Sequence, residues 1–215
     1  MKIFIDFDDV LFNTKKFKKG CFEIFKKNGV PKKIFDECYY DPLDNRSIKV
    51  YDVTGHIDRI CERVGLSPSI FREEVDSFVA DTSQYVFPDV FGVLEKFQKK
   101  ELCIVSFSVT NFQKSKIAGS GVVKYFSGVK IVDVLKGAAV AEIIEKEKLH
   151  NDKELYFIDD RTEQIESVKK ACSQVKTILC VRREGRYRDR KNKYCDYKIA
   201  NLKEIEKIIK IKNGK

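Results

Sequence analysis

The stretch KIFIDFDDVL, residues 2–11, joins a short apolar run to a cluster of acids. Residues 2–7 are rich in Ile and Phe and too few for a stable helix, which is typical of a buried β-strand. The run ends in Asp6, Asp8 and Asp9. Strand alternation places Asp6 and Asp8 on the same side, where two carboxylates repel each other unless a cation compensates them. The stretch therefore predicts a buried strand that ends either in a cation site or in an ordinary acidic turn.

Four further apolar runs have the length of strands, and helical patterns lie between the later ones. The runs are residues 102–107, 129–132, 155–158 and 175–181. Apolar residues recur at helical spacing in 136–149, in 164–172 and again in 202–209. Strands that alternate with helices favour a parallel sheet covered by helices on both faces. We therefore predict an α/β fold with three layers.

The segment between the first two runs has a different pattern. Helical spacing appears in residues 15–27, 56–64 and 69–80, and strand signals are weak there. We therefore expect a core domain made of residues 1–12 and 87–215, and a small helical domain made of residues 13–86. A helix over residues 90–97 leads the chain back into the sheet.

The composition excludes several classes of protein. The chain has 215 residues, of which 43% are hydrophobic and 35% charged, so a packed core is available and intrinsic disorder is not expected. No apolar run is long enough to span a bilayer, and the N-terminus turns acidic too early for a signal peptide. We expect a cytoplasmic protein with no membrane partner. The formal net charge of +9 suits an anionic partner or substrate.

The cysteines and histidines do not predict a metal or disulfide framework. The seven cysteines are an odd number, are widely spaced and form no Cys-x-x-Cys pair. We interpret them as buried apolar residues in a reducing compartment. His56 and His150 lie far apart in the sequence, and we interpret both as ordinary surface or loop residues.

A second acidic pair follows the fourth run. Asp159 and Asp160 come at the predicted end of a strand, as Asp6 and Asp8 do. Because the carboxyl ends of parallel strands meet at one edge of a sheet, these side chains could face one crevice. Mg²⁺ prefers carboxylates together with water and substrate phosphate, so this edge predicts a Mg²⁺ site. Taken alone, Asp160 is equally consistent with a helix cap.

Two further positions are candidates for binding phosphate. Ser106 ends the second run, and helix-start amides near Thr110 and Asn111 would add donors. Lys136 opens a predicted helix, where a lysine is unfavourable to the helix dipole unless an anion or carboxylate faces it. On spacing alone, Lys130 competes with Lys136 for this role.

The order of these residues resembles the four motifs of the haloacid dehalogenase (HAD) superfamily. DFDDVL at 6–11 resembles the first motif, and LCIVS at 102–106 resembles the second. Lys136-Gly137 resembles the third, and FIDD at 157–160 resembles the double-aspartate form of the fourth. The sequence departs from the usual pattern at Asp9, Val10 and Gly137, where Gly, Thr and Pro are common. The resemblance implies a Rossmann-like parallel sheet core and makes the helical insertion a cap by its position.

The resemblance also implies a mechanism for hydrolysis of phosphate monoesters. Asp6 is the expected nucleophile, which forms an aspartyl-phosphate, and Asp8 is the expected general acid and base. Ser106 and Lys136 would hold the phosphoryl oxygens. Mg²⁺ would be bound by Asp6, by the backbone carbonyl of Asp8 and by Asp160. Asp159 would be the alternative ligand, or would contact the ligands without touching the ion. Family members that break carbon–halogen bonds usually lack the acid, so Asp8 favours phosphoryl transfer.

The leading hypothesis is a Mg²⁺-dependent phosphatase of a small phosphorylated metabolite, of the nucleotide or sugar phosphate class. A phosphomutase would share the first half-reaction. A weaker alternative is a binding module without chemistry, in which five arginines in residues 182–190 grip a nucleic-acid backbone. A receiver-type signalling domain is disfavoured, because there the acidic pair precedes the phosphoacceptor strand. The sequence makes no prediction about oligomeric state.

Overall fold

The computed structural model describes residues 1–45, 49–108, 111–149 and 154–209. The chain divides into two compact units. The first comprises Met1–Thr14, Tyr85–Phe107 and Val122–Lys215, and the second comprises Lys15–Gln84 and Ser108–Gly121. Within the described ranges, no helix is both long enough and apolar enough to cross a membrane.

A parallel sheet of six strands forms the centre of the first unit. The five runs predicted as strands all form strands, which confirms the α/β class. The sequence pattern does not reveal β6, because this strand has three residues and its first two are exposed. The strands are β1 (Lys2–Ile5), β2 (Leu102–Phe107), β3 (Gly128–Val132), β4 (Leu155–Asp159), β5 (Lys176–Cys180) and β6 (Tyr197–Ile199).

The strand order explains where a site can form. The order is β3-β2-β1-β4-β5-β6, which is the Rossmann-like order. Successive strands are added on one side of β1 up to β3 and on its other side from β4 onward, so the strand order reverses between β1 and β4. Ile5 on β1 pairs with Ile158 on β4, and the N–H of Asp6 donates to the Ile158 carbonyl at 2.9 Å. The residues that follow this pair are Asp6 and Asp159. The reversal therefore brings the two acidic strand ends side by side.

The helices of the first unit are α5 (Val90–Leu94), α7 (Gly137–Lys146) and α8 (Thr162–Ala171). Phe4 of β1 and Phe157 of β4 share a core cluster with Val140 of α7 and Ile165 of α8. Residues two apart on a strand share a face, so Asp6 lies on the same face as Phe4, and Asp159 on the same face as Phe157. The cluster therefore places α7 and α8 on the face of the sheet that carries these two acids. Two helical segments differ from the prediction: α5 is shorter, and the C-terminal segment forms a 3₁₀-helix at Leu202–Lys207.

The second unit contains helices and no strand among its described residues. Its core is aromatic, with Phe25 stacked on Phe71 and in edge contact with Phe35. The helices are α1 (Thr14–Lys27, with Thr14 in the first unit), α2 (Lys32–Glu37), α3 (Val53–Val64), α4 (Ser69–Ala80) and α6 (Asn111–Gly119).

Helix α6 lies outside the predicted helical domain of residues 13–86, yet it belongs to the second unit. Its Phe112 ring packs against the rings of Phe17 and Tyr51. The N–H of Thr82 donates to the Gly119 carbonyl at 2.9 Å. These contacts join segments far apart in sequence, so a reading of local patterns assigns α6 to the core domain instead.

The histidine prediction is wrong for His56. This residue is fully buried in α3, where one ring nitrogen lies 2.8 Å from the Phe35 carbonyl and the other 3.0 Å from the Tyr51 hydroxyl. Burial lowers the pKa of His56 to about 4, so it is a neutral core residue at pH 7. His150 and Thr110 lie outside the described residues. All seven cysteines are buried and free, as the spacing predicts.

Candidate active site at the carboxyl ends of β1 and β4

A buried lysine joins the two acidic strand ends. The Lys136 Nζ atom lies 2.6 Å from Asp6 Oδ1 and 2.6 Å from Asp159 Oδ2. The Lys136 residue is 1% exposed, and Asp6 and Asp160 are each 6% exposed. One carboxylate oxygen from each of Asp6, Asp159 and Asp160 lies within 4.8 Å of the others, a spacing that could hold a metal ion. The fold thus gathers three predicted acids and the predicted lysine into one buried cluster.

The electrostatics of this cluster favour an added cation. Burial raises the pKa of Asp6 to about 7, although Lys136 opposes the rise. Burial, followed by the charges of Asp159 and Asp6, raises the pKa of Asp160 well above its ordinary value. Burial opposes the charge on Lys136, but Asp159 and Asp6 raise its pKa above the usual value. One lysine therefore does not fully compensate the carboxylates.

The two aspartates at the end of β4 have different surroundings. Asp159 uses both oxygens: Oδ2 pairs with Lys136, and Oδ1 accepts the N–H of Arg161 at 2.9 Å. Asp160 Oδ2 is buried and has no hydrogen-bond partner among the described residues. A buried carboxylate oxygen without a partner is costly, and a hard cation satisfies it. The all-oxygen donor set therefore fits Mg²⁺, with Asp160 better placed than Asp159 to offer a free oxygen.

Lys136 rather than Lys130 reaches the acids. Lys130 lies on the surface of β3, where its Nζ atom pairs with Glu142 at 2.8 Å. Lys136 precedes α7, and its backbone N–H donates to Gln164 Oε1 at 3.0 Å. The N–H of Gly137 donates to Ser167 Oγ at 3.1 Å. Both acceptors lie on α8, so α8 fixes the start of α7 and with it the position of Lys136.

Asp8 lies outside the group of three carboxylates. It is half-buried, and Asp8 Oδ1 accepts the Thr14 hydroxyl at 2.6 Å. The backbone turns tightly between Asp8 and Thr14. Asp9 has a left-handed φ of 57°, and its N–H donates to the Phe12 carbonyl at 2.7 Å. Sequence reasoning missed Thr14, because the turn that brings it back to Asp8 has no local signature.

Ser106 is buried at the end of β2, the strand next to β1. It lies one residue before the strand ends, opposite Ile131 of β3. Ser106 therefore lies at the carboxyl end of the sheet, the end that carries Asp6, and its role as a phosphate donor stays a prediction. Asn111, the other predicted donor inside the described residues, begins α6 in the second unit.

The basic loop of residues 182–190 is tied to the protein at several points. Arg182 donates to the Val10 carbonyl at 2.8 Å, and its two terminal nitrogens bind the Asp89 carboxylate at 2.9 and 3.1 Å. Arg186 Nε lies 2.5 Å from Asp9 Oδ2. The sequence reveals neither ion pair, because no spacing rule links residues more than 90 positions apart.

Comparison with known proteins decides the family. A model of the haloacid dehalogenase-like hydrolases matches residues 3–179, which include every motif described above. The chain belongs to the haloacid dehalogenase-like hydrolase family. No curated protein sequence matches it.

Solved structures show the same fold in other members of the family. A protein from Burkholderia xenovorans LB400, described as a haloacid dehalogenase-like hydrolase, is 19% identical with a TM-score of 0.70 over 96% of this chain and 94% of that one. YfnB from Bacillus subtilis, described as a HAD-hydrolase bound to magnesium, is 14% identical with a TM-score of 0.65 over 96% and 97%. A predicted phosphoglycolate phosphatase from Haemophilus somnus 129PT is 14% identical with a TM-score of 0.59 over 96% of each chain.

Haloacid dehalogenases are also among the matching structures. At these identities the similarity shows the fold alone. This chain is therefore a haloacid dehalogenase-like hydrolase whose fold is shared by phosphatases and dehalogenases, and the choice between these chemistries depends on its own side chains.

Gly137 of this hydrolase offers a test of how Lys136 is positioned. A Cβ atom at Gly137 would lie 2.4 Å from the Ser167 carbonyl oxygen, so α7 would have to move away from α8. We expect Gly137→Ala to destabilise the protein by about 1–3 kcal/mol through overpacking, measured by urea unfolding. The matched control is Gly92→Ala in α5, where a Cβ would meet nothing within 4 Å. An equal effect of both variants would contradict the close approach of the two helices.

Proposed function

We propose that this chain is a Mg²⁺-dependent phosphatase for a small phosphorylated metabolite of the nucleotide or sugar phosphate class. The observation that carries the proposal is the buried Lys136, which bridges Asp6 and Asp159 beside the unpartnered oxygen of Asp160. A lysine and a cation in this position would neutralise both the attacking carboxylate and the phosphoryl oxygens.

The proposed reaction has two steps. In the first, an oxygen of Asp6 bonds to phosphorus, the bond to the ester oxygen breaks, and Asp8 gives its proton to that oxygen. In the second, Asp8 takes a proton from water, whose oxygen bonds to phosphorus and releases Asp6 and inorganic phosphate. Lys136 and Ser106 hold the phosphoryl oxygens throughout. The hydroxyl of Thr14 orients Asp8 for both proton transfers.

Asp6, Asp160 and the backbone carbonyl of Asp8 are the proposed Mg²⁺ ligands. Both oxygens of Asp159 already have partners, the Arg161 N–H and Lys136. Asp159 is therefore proposed to hold Lys136 in place without binding the ion itself. The ion, when bound, supplies the positive charge that lets an anionic carboxylate approach an anionic phosphate. The helical unit is proposed to act as the cap, and residues 13–86 with α6 are the region in which we expect substrate specificity to reside.

Asp8 favours phosphatase chemistry over dehalogenation. A halide leaves without a proton, whereas the alkoxide of a phosphate ester needs one. We expect a panel of phosphorylated metabolites to release inorganic phosphate in the presence of Mg²⁺ and far less in EDTA. A 2-haloacid in the same assay should release no halide. Halide release without phosphate release would contradict the proposal.

Two other hypotheses have less support. A phosphomutase would return the phosphoryl group to a second hydroxyl, so its signature is an isomerised sugar phosphate without free phosphate. For a nucleic-acid partner, the basic loop offers few free groups. Arg182 and Arg186 pair with aspartates, and Arg188 donates to backbone carbonyls of its own loop.

Stabilisation by Mg²⁺ should depend on pH. The raised pKa of Asp6, about 7 against an ordinary 3.8, means that the native protein binds more protons than the unfolded chain between these values. Without the ion, Asp6 therefore makes the free energy of unfolding fall as pH rises through this window. Mg²⁺ needs ionised carboxylates, so saturating Mg²⁺ should raise Tm by about 5–10 °C at pH 8 and by less at pH 5.

Thermal unfolding with and without MgCl₂ measures this effect. Asp160→Asn should abolish the shift in Tm at pH 8, while the exposed Asp133→Asn should retain it. A shift of the same size at both pH values, or in both variants, would show that Mg²⁺ binds elsewhere.

A further inference from the structure

A fourth buried carboxylate, that of Asp9, lies in the turn after β1, three residues from Asp6. Asp9 is 1% exposed, and its Oδ2 atom is 2.5 Å from Arg186 Nε. Its Oδ1 atom is buried and has no hydrogen-bond partner in the part of the chain that the structure describes. The charge of Asp9 contributes to the raised pKa of Asp160, after burial, Asp159 and Asp6, and Arg186 opposes it. Asp9 lies three residues after Asp6 and directly after Asp8, so its charge belongs to the same turn as two of the proposed metal ligands.

The acids of this region outnumber the cations that contact them. Asp6, Asp9, Asp159 and Asp160 are the buried carboxylates, and Lys136 and Arg186 are the cations in direct contact with them. Asp8, half-buried in the same turn, adds a further negative charge that acts on Asp6 and on Arg186, so the acids outnumber the two cations. Without Arg186 this excess of negative charge would grow by one, and the site would repel a phosphate dianion more strongly.

The protein holds Arg186 in place from both sides. Arg182, four residues earlier, donates to the Val10 carbonyl next to Asp9. Asp189, three residues later, accepts the backbone N–H and the hydroxyl of Thr162 at 2.8 and 2.9 Å, at the start of α8. The loop that carries Arg186 is thus anchored to the chain segments that follow β1 and β4. The Arg186 side chain is 32% exposed, so the loop rather than burial fixes its position.

We propose that Arg186 is a positioning residue that holds and neutralises Asp9, and thereby sets the charge offered to the metal ion and the phosphoryl group. This inference rests on the proposed function. Removing Arg186 adds one uncompensated negative charge, which strengthens binding of a cation and weakens binding of an anion. Removing the charge of Asp9 leaves Arg186 unpaired and has the opposite effects.

The test measures binding rather than turnover. Isothermal titration of the full chain with MgCl₂, and with inorganic phosphate at saturating Mg²⁺, gives Kd for wild type, Arg186→Gln, Asp9→Asn and the double variant. We expect Arg186→Gln to bind Mg²⁺ several-fold more tightly and phosphate about tenfold more weakly, a change of about 1.4 kcal/mol. Asp9→Asn should shift both constants in the opposite direction. The double variant, whose net charge equals that of wild type, should return both to near their original values.

Two further variants separate charge from structure. Arg186→Lys keeps the charge and should bind both ligands almost as wild type does. Arg190→Gln removes an exposed arginine from the same loop and should change neither constant. If both single variants weaken both ligands and the double variant does not recover, the role of Arg186 is structural and the inference is overturned. If wild type binds neither Mg²⁺ nor phosphate, the proposed function falls and the inference falls with it.

Discussion

Asp6→Asn is expected to lower kcat for an aryl phosphate by at least about 10³-fold, because an amide cannot form the acyl phosphate through which the proposed reaction proceeds. The substitution keeps the shape of the side chain and leaves the pair between Lys136 and Asp159 intact. The fold should therefore survive, and the loss in kcat should appear in a protein that still unfolds cooperatively on heating. Steady-state phosphate release, together with acid-quench trapping of labelled phosphate on the protein, measures it.

A matched control is Asp76→Asn, which removes an exposed carboxylate from α4 in the second unit. This variant should turn over substrate as wild type does. If Asp6→Asn and wild type have similar kcat values, or if the label is trapped equally in both, Asp6 is not the nucleophile and the proposed mechanism is wrong.

Asp8→Asn is expected to lower turnover of an alkyl phosphate by about 10²–10⁴-fold, the usual contribution of a general acid or base. An aryl phosphate with a good leaving group should behave differently. The first step of its hydrolysis needs little help from a general acid. The second step still lacks a general base, because Asp8 has been replaced. The variant should therefore release one equivalent of aryl alcohol in a burst and then turn over slowly, as the aspartyl-phosphate accumulates.

Stopped-flow measurement of the aryl alcohol detects this burst. The Thr14→Val variant removes the hydroxyl that holds Asp8 Oδ1 at 2.6 Å and should lose activity only in part. Equal losses for aryl and alkyl substrates without a burst would exclude Asp8 as the proton carrier between the two steps.

Local patterns predict the sheet of this protein well for a physical reason. The central strands are buried on both faces, so β1, β2 and β4 consist of nearly continuous apolar runs. Edge strand β6 has no such pattern, because two of its three residues face solvent. The place of helix α6 in the second unit is not visible in local patterns, because its partners Phe17 and Tyr51 lie in distant segments.

The candidate site also combines features that local patterns reveal with contacts that depend on the fold. Ser106 and the acids at two strand ends can be named from their positions, since parallel strands bring their carboxyl ends to one edge. Spacing alone leaves Lys136 and Lys130 both open, and only the fold shows which of them reaches the acids. The separate surroundings of Asp159 and Asp160 depend on where Lys136 reaches, so the sequence leaves both open as ligands.

The linear order of residues determined the class of fold and the acidic strand ends, because burial and strand periodicity are local properties of a chain. Only the tertiary structure decided which contacts complete the site: Lys136 between Asp6 and Asp159, Thr14 on Asp8, and Arg186 on Asp9. Ion pairs act through space over a few ångströms. Their partners can lie anywhere in the sequence, and folding alone selects them.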